Sequence, residues 1–65
     1  MISYNRFWKY IKEHNVSQYR LIKEGISHST MMRLKNNQTV NTDTLDKLCN
    51  ILDCDIDEII EHIRD

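Results

Sequence analysis

The sequence predicts an all-α, compact fold of five short helices, and three observations carry that prediction. In five places a capping residue lies between an apolar residue just before it and another four positions after it. These sets are Ile2–Ser3–Phe7, Val16–Ser17–Leu21, Ile26–Ser27–Met31, Val40–Asn41–Leu45 and Cys54–Asp55–Ile59. The arrangement is that of an N-cap with its hydrophobic staple, which satisfies orphan backbone donors and fixes the angle at which the chain enters a helix. Apolar residues then recur at helical spacing after the caps. The chain also has one glycine and no proline, so little interrupts a helix once begun. Five helix starts in 65 residues leave no room for strands.

Taken in order, helix one (about 4–14) aligns Phe7, Trp8 and Ile11, the first two anchoring the core. Helix two (about 18–24) offers Leu21 and Ile22. Helix three (about 28–36) turns Ile26, Met31 and Leu34 inward, with Thr30 beside them. Helix four (about 42–52) repeats Leu45, Leu48, Cys49 and Leu52. Helix five (about 56–63) repeats Ile56, Ile59, Ile60 and Ile63, and Glu58 completes a capping box with Asp55. Such stripes must face a common core.

A chain of 65 residues beginning at Met1 is expected to be a single domain, 1–65, and a whole protein. At this size only about 60% of the unfolded surface is buried, so stability leans on well-capped elements. No apolar run approaches the roughly 20 residues of a membrane span. The N-terminus "MISYNRFWKY" lacks the apolar region of a signal peptide, which points to an intracellular, cytoplasmic protein. Cys49 and Cys54 are too few for a disulfide framework. Their spacing with His62 matches no zinc pattern, so buried, reduced thiols are expected, with no metal and no cofactor.

The formal net charge of −1 conceals a division. Residues 1–40 carry seven basic side chains against two acidic, a net +5, whereas residues 41–65 carry two against eight, a net −6. A chain divided in this way can present one cationic face to phosphates; two unrelated solvated surfaces are the alternative. Helix three sharpens the first reading. Its outward face collects His28, Ser29, Met32, Arg33 and Asn36 and holds no acidic residue, whereas an ordinary solvated face mixes in Glu and Asp.

A short helix from Ser17, a turn at Gly25 and a second helix from Ser27 make a helix-turn-helix, the glycine allowing two short helices to cross steeply. The segment "VSQYRLIKEGISHSTMMRLKNN" resembles the Cro/C1-type helix-turn-helix family of bacterial and phage transcriptional regulators, the lambda-repressor-like type of DNA-binding domain. "TVNTDTLDKLCNILDCDIDEIIEHI" resembles that family's fourth and fifth helices. Three positions depart from the pattern. One residue fewer separates Gln18 from Gly25, Ile22 stands where alanine is usual, and Asn37 replaces a common glycine.

The resemblance implies that helix three enters the major groove of double-stranded DNA. Base contacts then fall to Ser27, His28, Ser29, Met32 and Arg33. For Arg33 the options are bidentate readout of guanine, a phosphate contact or a structural ion pair. His28 is either a base contact or simply exposed, and Met32 either touches a thymine methyl or packs. Gln18 occupies the place of the family's phosphate-binding glutamine, and Lys35, Asn36 and Asn37 are expected along the sugar–phosphate backbone. Lys12, Arg20 and Lys23 are weaker candidates.

A homodimer on a palindromic site is expected, because two-fold symmetry doubles the contact set of one small module. Its surface is assigned to helix five, with Ile60 and Ile63, against full burial of both in the monomer. No small-molecule ligand is evident. A protein-interaction module of the same fold, antitoxin-like or partnering another regulator, is the rival reading. No catalytic residue is expected: His14, His28 and His62 fall on three predicted helices, and neighbours such as His28 and Ser29 point in different directions.

Overall fold

The computed structural model describes residues 1–64. Its helices are α1 (Asn5–Glu13), α2 (Gln18–Lys23), α3 (His28–Lys35) and α4 (Thr42–Leu52), followed by a single 3₁₀ turn, Ile56–Glu58. Two short strands, β1 (Ile2–Ser3) and β2 (Glu61–His62), pair antiparallel, with Ile2 opposite His62 and Ser3 opposite Glu61. The fold is mostly helical rather than all-α.

Three of the five predicted caps form. Ser17 Oγ accepts the Arg20 N–H at 3.1 Å, Ser27 Oγ the Thr30 N–H at 3.1 Å and Asn41 Oδ1 the Thr44 N–H at 2.9 Å. All four helices stop in the same way. The residue just past each end has positive φ: Asn15 (56°), Gly25 (112°), Asn37 (52°) and Asp53 (52°). The next N–H reaches back five residues to a carbonyl: Val16 to Ile11, Ile26 to Leu21, Gln38 to Arg33 and Cys54 to Cys49. These are Schellman ends, built in three cases on Asn or Asp, whose short polar side chains tolerate the left-handed conformation.

The core gathers Tyr4, Phe7 and Ile11 with Leu21, Ile26, Met31, Leu34, Leu45, Leu48, Leu52 and Ile59. Leu21, Leu34 and Leu48 are fully buried, as their stripes predict. Two predicted caps fail. Ser3 is buried in β1, where its Oγ accepts the Asn5 N–H at 3.2 Å, and α1 begins after Tyr4, whose side chain joins the core. Asp55 makes no side-chain cap, so its capping box with Glu58 does not assemble.

Helix five is therefore replaced by the 3₁₀ turn and β2. Its isoleucines are β-branched, which lowers their helix propensity slightly. Ile59 alone is driven fully into the core, while Ile56 is 48% exposed and Ile63 39%. The backbone beyond it pairs with the chain start: the Ile63 N–H donates to the Met1 carbonyl at 2.8 Å, and the Met1 amino group donates back to the Ile63 carbonyl at 2.6 Å. These backbone groups are therefore bonded to the chain start rather than within a helix. Cys49 and Cys54 are free thiols, as expected, but half-buried rather than buried.

Candidate nucleic-acid interface

The interface grows from α2, the turn at Gly25 and α3. Gly25 has φ +112°, a conformation that L side chains rarely adopt, and its carbonyl accepts the Lys47 ammonium at 3.1 Å. The turn thus needs glycine for its backbone and is tied to α4 by a lysine. Leu21 and Ile26 flank it and are both buried, so the two helices share one apolar seam.

α3 is held at both ends. At its start Ser27 Oγ caps Thr30 and also contacts Ser29 Oγ at 3.1 Å and Thr30 Oγ1 at 2.9 Å. At its other end Trp8 Nε1–H donates to the Leu34 carbonyl at 3.2 Å. The Tyr4 hydroxyl donates to the Gln38 carbonyl at 2.7 Å, while Asn37 Oδ1 accepts the Tyr4 N–H at 3.0 Å. Met31 and Leu34 are buried between these fixings. Rotation of α3 about its axis would break several of these contacts at once.

Its outward face carries Ser27, His28, Ser29, Met32, Arg33, Lys35, Asn36 and Asn37, all exposed. Met32 is 54% exposed, a large apolar side chain turned to solvent. Arg33 lies against the loop that follows, its Nη1 donating to the Thr39 carbonyl at 3.3 Å. There is no acidic residue on α3, and Arg33 and Lys35 occupy its last turn. Gln18 is exposed at the start of α2 and lines a surface cleft with Trp8, Lys12 and Ser17. The basic half of the chain is less free than its count implies. Arg20 pairs with Glu24 at 3.2 Å, and Arg6 pairs with Glu61 at 3.1 Å and donates to the Asp57 carbonyl.

A family model of the Cro/C1-type HTH DNA-binding domain matches residues 6–65. The chain belongs to the Cro/C1-type helix-turn-helix family. The fold is also similar to that of the transcriptional regulator VanUg in its crystal form II. The TM-score is 0.89 at 32% identity, over 98% of this chain and 87% of that one. No curated protein matches in sequence.

Within this Cro/C1-type fold the expected site residues fall on one continuous segment, with Gln18 at the adjoining helix start. Two of them have structural duties as well. Ser27 Oγ is committed to the cap, and Asn37 Oδ1 to Tyr4. Sequence patterning passed over Tyr19, which is 74% exposed beside Gln18. Its signal was an aromatic residue outside the apolar stripe of α2. It also passed over Thr39, because a backbone carbonyl as partner for Arg33 has no residue signature. No helix of the described residues is long and apolar enough to cross a membrane.

Proposed function

We propose that this Cro/C1-type chain is a transcriptional regulator that reads double-stranded DNA by laying α3 in the major groove, as a homodimer on a palindromic operator. The observation that carries the reading is the outward face of α3: exposed, free of acid and fixed at both ends. Such a face can meet a polyanion without repulsion and can hold hydrogen-bonding groups in register.

Near the start of α3, His28 and Ser29 reach base edges, with Ser27 adding contacts beyond its cap. Met32 supplies apolar contact to a thymine methyl. Arg33 exchanges its single, long bond to Thr39 for the two acceptors of a guanine, a pairing worth about 1–3 kcal/mol of discrimination. Gln18, Lys35, Asn36 and Asn37 follow the phosphate backbone, and Lys12, in the cleft with Gln18, joins them. Dimerisation supplies the second half-site that a module of this size needs.

The test is fluorescence anisotropy with a randomised duplex pool at low and near-physiological salt, alongside Arg33→Ala, followed by sequencing of the bound fraction. The expected result is steeply salt-sensitive binding, a palindromic motif, and relaxed preference at one position of each half-site in the variant. Binding without any motif would reduce the reading to nonspecific DNA association. Absence of binding even at low salt would turn attention to a protein partner.

A further inference from the structure

The end of α4 differs from the other helix ends in what it brings together. A Schellman end joins the backbones of two residues, five apart, across the reversal, and a side-chain contact between them frequently accompanies it. Those pairs are Ile11 with Val16 at α1, Leu21 with Ile26 at α2 and Arg33 with Gln38 at α3. At α4 they are Cys49 and Cys54. The Cys54 N–H donates to the Cys49 carbonyl at 3.1 Å, and Asp53 supplies the left-handed residue between them. Both are free and half-buried, and they line one surface depression with Asn50, Asp53 and Asp55. A small reagent can therefore reach both cysteines from one depression, and their backbones are already bonded to each other. A disulfide requires neighbouring Cβ atoms aimed at each other, and a backbone bond across a fixed turn keeps the two residues close to that requirement.

We propose that Cys49 and Cys54 form a thiol–disulfide exchange site, closed reversibly by low-molecular-weight disulfides of the glutathione class. One cysteine, as thiolate, attacks a sulfur of glutathione disulfide and releases one glutathione thiolate, leaving a mixed disulfide on the protein. The second cysteine, as thiolate, displaces the second glutathione from that bond and closes the ring. The protein gives up two electrons and two protons; glutathione disulfide takes both electrons and leaves as two thiols. Burial holds both thiols protonated beyond their ordinary range, and the acidic groups around them add to it: Asp46 and Asp55 at Cys49, Glu58 and Asp55 at Cys54. Tyr10 faces the same group from α1. Exchange is accordingly slow at neutral pH, and the equilibrium rather than the rate is the readout.

The intact chain would be equilibrated in buffers of stepped reduced-to-oxidised glutathione ratio, quenched in acid, alkylated with N-ethylmaleimide and weighed. A parallel series would be run in concentrated guanidinium. The expected product is a monomer lighter by two hydrogens, carrying no maleimide and restored by dithiothreitol. Because the fold pre-assembles the pair, its midpoint lies at a more reducing ratio than in guanidinium, by about tenfold or more in the exchange constant. In Cys49→Ser the mixed disulfide on Cys54 accumulates instead. Equal midpoints with and without denaturant, or closure only between chains, would overturn the proposal.

Discussion

Asn37 performs two tasks that usually fall to separate residues. Its backbone takes the left-handed conformation that ends α3, and its Oδ1 accepts the N–H of Tyr4, a residue only 2% exposed. The two tasks separate on substitution. Asn37→Gly keeps the backbone but strands a buried donor, at a cost of about 1–3 kcal/mol. Asn37→Ala strands the same donor and adds roughly 1–2 kcal/mol of left-handed strain. Urea unfolding of both variants checks the order. Glycine as stable as the natural asparagine would mean that the Tyr4 bond contributes nothing.

Among the elements, the turn between α2 and α3 depends on backbone freedom more than on space. A Cβ on Gly25 would come within 2.5 Å of the Lys47 ammonium, but that atom ends a flexible side chain. The φ of +112° is the fixed requirement. Gly25→Ala is expected to cost about 1–3 kcal/mol, and adding Lys47→Ala should not recover it. Recovery in the double variant would show that crowding, not conformation, was the obstacle. The end of α4 makes a prediction about pH. Burial pushes the Cys54 thiol from 9.0 up to about 11, with Cys49 and Glu58 adding to it, and Tyr10 and Cys49 shift in the same direction. The folded state holds these protons more tightly than the unfolded one, so the associated stability is fully present below pH 9.0 and is lost as pH rises through about 11. Thermal unfolding midpoints should fall across that window, and less steeply in Cys54→Ser.

Elements defined by their own neighbours were legible. Ser17, Ser27 and Asn41 each bond an N–H three residues on, so α2, α3 and α4 begin where the caps predict. Elements defined by distant partners were not. Ser3 and Asp55 carry the same local signature, yet pairing between the chain's two ends overrides it. The outward face of α3 was readable from its residue types, whereas the fixings by Tyr4, Trp8 and Thr39 come from separations that no local pattern records.

Across the whole molecule, the acidic C-terminal part is folded back onto the N-terminal part, with Ile59 as its buried anchor. Ile59→Ala should cost about 2–5 kcal/mol as a large-to-small core change, which a urea midpoint would register. A loss near zero would mean that the last turn merely rests on the surface. The contacts of Arg6 with Glu61 and Asp57 draw one cation of the basic half into this closure.

The pairing of Ile2 with His62 and Ser3 with Glu61 also has a consequence in time. It joins residues about 60 positions apart, so its loop-closure entropy is recovered only once the intervening helices have condensed. Caps and Schellman ends span five residues or fewer and can form within microseconds. The two strands are therefore the last elements to assemble and the first to open. Their amides should exchange with solvent hydrogen far sooner than those of α3 and α4. The turns of α3 thus lie in the early-forming part of the molecule, whereas the Tyr4 bonds that fix its end adjoin β1 and depend on the late closure.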